Sequence, residues 1–229
     1  VQDVTSDSTD LLGFERVLIE RGEVVVGIDE VGRGALAGPL TVGAVVLGDI
    51  RTVPEGLNDS KQITPRRRQG LVVPLREWAD GWALAEASPE EIDAWGLRTA
   101  LAVAATRALD RLRVRPTYAL LDGDFNLLSA PMALGVADLP VPELRYATMA
   151  HESLVRGDAR CATIAAASVL AKVDRDAFMV GLDPRLPVYR WESNKGYGSR
   201  EHLEALAVHG PSEWHRRSWS LPALRSLAS

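Results

Sequence analysis

The 229-residue chain has one cysteine, four histidines and three lysines, and each scarcity removes a class of explanation. Cys161 alone cannot close an internal disulfide, and one cysteine with four histidines does not make a structural zinc cluster. No apolar run approaches the roughly 18 residues of a membrane span. The longest, VVVGI and AVVLG, are strand-sized. The first ten residues, VQDVTSDSTD, are acidic and polar where a secretory signal needs a basic start and an apolar stretch, so a cytoplasmic protein with no membrane association is expected. Internal repeats and low-complexity tracts are missing, which sets aside solenoids and propellers. A phosphate-binding G-x-x-x-x-G-K-[ST] loop is also missing.

Positive charge is in short supply, with 26 Lys+Arg against 31 Asp+Glu and a net charge of −5. That balance disfavours a generic nucleic-acid binder. The distribution is less uniform, because Arg51, Lys61, Arg66, Arg67 and Arg68 face only Glu55 and Asp59 in their segment. Such a stripe serves either as a solvated helix face or as a seat for a phosphate backbone. What the chain does have is ordinary globular composition, 46% hydrophobic and 25% charged, and enough length for one large domain or one domain with a small appendage.

Periodicity and turn chemistry predict an α/β order. A short helix is expected around Leu11–Arg21, then β-branched strands at Val24–Ile28 and Leu40–Leu47. Thr64 followed by Pro65 reads as a capped helix start, with Pro74 expected to kink or interrupt the helix. Trp82–Ala87 reads as a strand. Ser88, Pro89, Glu90 and Glu91 open a helix to about Arg113, and Thr117–Leu121 follows as a buried strand. Gly123 to Glu143 reads as a long loop or insertion, Ala159–Phe178 as a helix and Ser199–Val208 as a shorter one.

Candidate chemistry begins where a strand runs into GIDEVGRGALAGP, Gly27 to Pro39. Adjacent carboxylates Asp29 and Glu30 at a strand end suit a hard divalent cation. Neighbours on a pleated strand point to opposite faces, so either the strand ends or bulges at Asp29, or Glu30 reaches over the rim. The glycines after them let backbone approach a ligand. Asp122 ends another apolar strand, with Asp124 as its competitor, and Asp158 precedes an alanine-rich helix, where it could equally cap that helix. These positions could converge on one edge of an open sheet.

Five stretches in order, GIDEVGRGALAGP, NDSKQIT, LLDGD, RGDARCATIAAASVLAKVDRD and KGYGSREHLEALAVHGPSEWHRRSW, resemble the motifs of the type 2 ribonucleases H, bacterial ribonuclease HII, across Val24 to Trp219. The resemblance implies an RNase H-like fold: a central mixed β-sheet flanked by helices, with a catalytic core over residues 1–185 and a small helical substrate-binding extension over 186–229, packed as one domain or as two. It implies a site of four carboxylates, Asp29, Glu30, Asp122 and Asp158, holding two Mg²⁺ or Mn²⁺ ions in the substrate complex. Clustered carboxylates repel one another unless cations neutralise them, and two cations can activate a water and stabilise the leaving oxygen in an in-line displacement.

By the same resemblance Gly32, Arg33 and Gly34 form a loop that meets the ribose 2′-hydroxyl with Tyr197. Lys61, Lys172 and Lys195, the only lysines in the chain, become candidate phosphate contacts. Arg216 and Arg217 either touch phosphate as well or fasten the C-terminal unit through salt bridges. The implied activity is an endoribonuclease that cuts 5′ of a ribonucleotide embedded in duplex DNA and cuts RNA in RNA–DNA hybrids. Its products carry a 3′-hydroxyl and a 5′-phosphate, and its role is ribonucleotide excision and primer removal. A monomer with no obligate protein partner is expected. The alternative is a non-catalytic module that binds RNA–DNA hybrids.

Overall fold

The computed structural model describes residues 10–57, 63–130 and 139–219. Helix α1 (Gly13–Glu20) leads into β1 (Val25–Val31) and β2 (Leu40–Leu47), followed by α2 (Pro65–Trp78) and β3 (Gly81–Ala87). Helices α3 (Pro89–Trp95) and α4 (Leu97–Arg111) precede β4 (Tyr118–Asp122) and β5 (Ala150–Leu154). The long α5 (Ala162–Leu182), a four-residue α6 (Trp191–Asn194) and α7 (Arg200–His209) complete the order. The five strands form one mixed sheet in the order β3-β2-β1-β4-β5. The β1–β2 and β2–β3 pairs are antiparallel, and the β1–β4 and β4–β5 pairs are parallel.

Both faces of this sheet are covered, which explains why its central strands read as continuous apolar runs rather than alternating ones. Val26, Ile28, Val42, Ala44 and Val46 pack with Leu101, Ala104, Ala105 and Leu109 of α4. Val45 and Leu47 pack with α2 and α5. Within the stretch read as a loop, Leu127 and Leu128 are fully buried and belong to the α4 side of the core. Among the described residues no helix is long and apolar enough to cross a membrane.

Packing between α5 and the sheet brings backbone against backbone. A Cβ added at Gly27 would sit 2.3 Å from the Thr163 carbonyl carbon, and one at Gly43 would sit 2.4 Å from the Ala167 carbonyl oxygen. Helix backbone therefore rests on strand backbone, and Ala165, Ala166 and Ala167 keep the helix face small enough to allow it. The N-terminus of α5 is secured from far away in sequence. Its N-cap residue, Cys161, makes no side-chain cap bond, and Glu15 of α1 supplies the acceptor instead, taking the Thr163 N–H and hydroxyl at 2.8 Å each. Leu11 accepts the Ala162 N–H at 2.7 Å in the same region.

Two expectations need correction, and one strand had no expectation at all. The helix starting at the Ser88 capping box breaks at Gly96, whose φ of 77° ends α3, and α4 starts afresh. Pro74 does not interrupt α2, which runs unbroken to Trp78. The carbonyl that the proline leaves without a donor belongs to Gly70, and both residues lie on the exposed side of the helix. Strand β5, AHESL, went unread because it is a half-exposed edge strand whose polar residues carry no β-branched signature.

The C-terminal segment is fastened by a histidine pair. His202 donates Nδ1–H to the Tyr197 carbonyl (2.8 Å), so its Nε2 is an acceptor and takes bonds from His215 Nε2–H (3.0 Å) and from the Trp191 indole (3.3 Å). His215 Nδ1 in turn accepts the Ser212 N–H at 2.9 Å. Each ring has one donor and one acceptor site in use, so the network closes only with both imidazoles neutral. Burial lowers the pKa of both, His215 to about 3 with help from His202.

Two measurements test this packing. Gly43→Ala should lose about 3 kcal/mol of stability in denaturant unfolding, whereas Gly34→Ala, where an added Cβ meets nothing within 4 Å, should change it by less than ~0.5 kcal/mol. For the histidines, the unfolded chain takes up protons near pH 6.5 while folded His215 resists to about 3. Stability should therefore fall as pH drops below 6.5, and His215→Asn should flatten that part of the melting-temperature profile.

Candidate active site

Strands β1 and β4 run parallel, so their C-terminal ends share one edge of the sheet. Their pairing stops at Ile28↔Leu121, and the next residue on each strand is an aspartate, Asp29 and Asp122. On its other side β1 stays in register with β2 through Asp29↔Gly43 to Val31↔Thr41, without a bulge. Of the alternatives left open by the sequence, Glu30 thus reaches over the rim. Asp29 faces α5 together with its partner Gly43, and the absence of a side chain at Gly43 lets Ala167 and then Ser168 come down beside it.

Asp29, Glu30 and Asp122 line one cavity of about 190 Å³ with Val31, Arg68, Ser168 and Lys172. Asp29 is buried, and its Oδ1 accepts the Glu30 N–H at 2.7 Å. Burial raises its pKa well above the usual carboxylate range, the charges of Asp122 and Glu30 push the same way, and a hydrogen bond from Ser168 opposes them. Glu30 is pushed up to about 7, mainly by burial, with Arg33 lowering it and Asp122 raising it. Its carboxylate lies 3.5 Å from the Arg33 guanidinium, and its Oε2 is buried with no hydrogen-bond partner among the described residues. Asp122 Oδ1 accepts the Gly157 N–H at 2.7 Å and lies 3.4 Å from the Asp158 N–H.

Asp158 is buried in a single 3₁₀ turn, Gly157–Ala159, and does not cap α5, whose N-cap is Cys161. It adjoins the site through that backbone contact with Asp122, while the cavity lining holds the other three carboxylates. Asp124 is exposed and stays outside it. Among the described residues no three His, Cys, Asp or Glu side chains are gathered tightly enough to enclose a metal ion. Asp29 is turned to the Glu30 amide, Glu30 to Arg33 and Asp122 to the Gly157 amide. The donor set still fits a hard cation: it is all oxygen, and one buried carboxylate oxygen is left without a donor.

The remaining candidates sit around this cavity. In the Gly32-Arg33-Gly34 loop an added Cβ at Gly34 meets nothing within 4 Å, so that side is open to a ligand. Lys172 lines the cavity and bonds Asp176, and its ammonium lies 6.0 Å from the Tyr197 ring. Tyr197 thereby stands beside a residue of the cavity lining, with the Arg175 guanidinium 5.3 Å from the same ring. Lys195 is more distant, its side chain on the Glu192 carbonyl and its own carbonyl accepting from Arg175. Lys61 lies outside the described residues.

The family model for Ribonuclease HII matches residues 26–221. The chain belongs to the ribonuclease HII family. It is similar to the Ribonuclease HII of Streptomyces avermitilis, 44% identical over 209 residues that cover 90% of this chain and 82% of that protein. The Paracoccus denitrificans enzyme is also 44% identical, covering 90% of this chain and 89% of its own length. Among solved structures, ribonuclease H2 of Pyrococcus horikoshii superposes with a TM-score of 0.63 at 26% identity, covering 88% of this chain and 96% of that one. As a ribonuclease HII the chain is an endoribonuclease, and the fold is RNase H-like.

The cavity is also lined by residues that the sequence did not single out as site candidates. Ser168 stands one helical turn before Lys172, a spacing that puts both on one face of α5. Arg68 was read as part of a basic stripe, but the stripe divides. Arg51 is paired with Asp80 at 2.6 Å, Arg66 and Arg67 are exposed, and Arg68 turns into the cavity with one nitrogen on the Ile63 carbonyl. Arg216 is no phosphate contact. It is fully buried and donates to the carbonyls of Gly38 and Arg33, and Arg175 does the same for Ala37, Pro39 and Lys195. At Arg217 it is the backbone N–H that is engaged, on Asp93.

Asp29 and Glu30 hold protons more tightly in the folded protein than in the unfolded chain, so their contribution to stability is present at low pH and lost as pH rises through their folded values. In chelator at pH 8, Asp29→Asn should melt about 3 °C above wild type, with the difference shrinking toward pH 5, as read by calorimetry.

Proposed function

We propose that this endoribonuclease nicks duplex DNA 5′ of an embedded ribonucleotide and cuts the RNA strand of RNA–DNA hybrids, leaving 3′-hydroxyl and 5′-phosphate ends. Its role is removal of misincorporated ribonucleotides and of RNA primers, as a cytoplasmic monomer. The observation that carries this reading is the placement of Asp29 and Asp122 at the ends of adjacent parallel strands, with Glu30 in the same cavity. Asp29, Glu30, Asp122 and Asp158 would hold the Mg²⁺ or Mn²⁺. The chemistry such a cation would supply there is neutralisation of the carboxylates, a more acidic water and stabilisation of charge on the leaving oxygen.

The protein's own groups divide the rest of the work. Ser168 orients Asp29 by a hydrogen bond. Lys172 and Arg68 bring positive charge to the rim that the phosphate must cross. Among the described residues no histidine or cysteine lines the cavity, Ser168 there is hydrogen-bonded to Asp29, and Cys161 is buried with its thiol pKa pushed up, an arrangement that suits water as the nucleophile. Selection for RNA falls to the 2′-hydroxyl. Gly34, whose Cβ side is open, and Tyr197, whose carbonyl is fixed by His202 and whose ring lies 6.0 Å from Lys172, suit that contact. The 186–229 segment then serves as the substrate-binding extension, with Lys195 and Lys61 on flanking phosphates.

An end-labelled DNA duplex with one ribonucleotide tests this beside all-DNA and RNA–DNA duplexes, with Mg²⁺, with Mn²⁺ and with chelator. The expected result is a metal-dependent nick 5′ of the ribonucleotide, reduced roughly 10²- to 10³-fold in Asp29→Asn. Tyr197→Ala should lose the preference for a single ribonucleotide. A duplex that is bound but never cut with either ion would favour the hybrid-binding module instead.

Because the ligands must be ionised to bind a cation, divalent-ion affinity should also rise with pH through about 7, the Glu30 value, and go on rising while the raised Asp29 ionises, when measured by titration calorimetry.

A further inference from the structure

Three arginines stand on α4, and two are occupied. Arg107 pairs with Glu91 at 2.6 Å, and Arg111 bonds the Leu84 carbonyl. Arg98 is different. It is exposed, and among the described residues it makes no hydrogen bond or ion pair; its one contact is with the ring of Phe125, 5.1 Å from the guanidinium carbon. The same ring carries Arg33 at the same distance, 5.1 Å. Two guanidinium groups thus converge on one phenylalanine, on a protein whose net charge is −5.

A ring attracts a guanidinium through its quadrupole, yet two like charges gathered on one ring repel each other, and whereas Arg33 has Glu30 beside it, Arg98 has no carboxylate partner among the described residues. Phe125 follows Asp122 by three residues, and Arg33 also contacts Glu30 at 3.5 Å, so the cluster is continuous with the carboxylate cavity. Adding those separations puts Arg98 within about 15 Å of Glu30, some four base steps at ~3.4 Å per step along a strand. The free donors of Arg98 therefore lie where a strand held at the carboxylates would carry one of its neighbouring phosphates.

We propose that Arg98, held with Arg33 on Phe125, is a contact for a backbone phosphate of the nucleic-acid substrate, a few nucleotides from the cleaved bond. The inference rests on the reading of the carboxylate cavity as a nuclease site. The ring acts as a positioning residue, because it limits the guanidinium to one region and lowers the ordering cost of binding. A phosphate contact carries no base sequence information, so Arg98 adds affinity equally for every sequence.

The test is anisotropy of a labelled duplex with one ribonucleotide, in chelator so that nothing is cut, over a salt series from about 50 to 300 mM. Wild type is compared with Arg98→Gln, Phe125→Leu and the charge control Arg16→Ala, whose arginine is exposed on α1 and paired with Asp10. Arg98→Gln should weaken binding about 3- to 10-fold at 100 mM salt and reduce the slope of log K against log salt by about 1, equally for two unrelated sequences. Phe125→Leu should weaken binding by less, and Arg16→Ala should leave the slope unchanged.

An unchanged slope in Arg98→Gln, or an equal loss in Arg16→Ala, overturns the inference while the nuclease reading stands on wild-type binding and cleavage. A wild type that neither binds nor cuts the duplex overturns both.

Discussion

The seating of α5 directly on strand backbone is the constraint from which the rest follows. Gly27 and Gly43 give up two side chains' worth of core so that the helix can descend, and the alanines facing them complete the contact. The loss of apolar area is offset by what the close approach allows. Ser168 reaches Asp29, Lys172 reaches the cavity one turn later, and Arg175 enters the loop beyond it. One helix, laid at one depth, sets the distances of a polar site that the sheet alone would leave half-built.

The charged groups follow a second rule: each is buried against what it has to hold. Arg175 and Arg216 are both fully buried, and among the described residues they donate to backbone carbonyls. Five such carbonyls belong to Arg33, Ala37, Gly38, Pro39 and Lys195, so the cations bind two loops that have little regular structure of their own. Burial disfavours the charged form of both arginines, and multiple hydrogen bonds repay that cost. In the cavity the sign is reversed. Carboxylates are packed together without enough donors, and the resulting tension is what a cation would relieve.

Much of this was legible in the chain. Four of the five strands and the main helices announced themselves through apolar runs, caps and prolines. Asp29, Glu30 and Asp122 were readable as acids at strand ends, and they share the cavity. The misses have physical causes. Strand β5 is held by pairing to β4 and contributes little to the core, so its letters look like loop. Gly96 breaks a helix through a positive φ that propensity cannot foresee. Arg68 and Arg216 look like surface charge because nothing in a one-dimensional pattern distinguishes an arginine facing solvent from one facing carbonyls. Asp158 was expected among the lining residues; the structure brings its backbone to Asp122.

The bond from Glu15 to Thr163 spans 148 positions, and it concerns time as well as space. The helix that carries Glu15 leaves the ribosome well before its anchoring partner at residues 162 and 163 is made. Until residues 162 and 163 have emerged, α1 has nothing to dock against there, and the acidic side chain stays in water. Contacts so distant in sequence close slowly, because a long loop must be ordered before they stabilise anything. A helix synthesised early is thus fixed late, when α5 arrives to hold it.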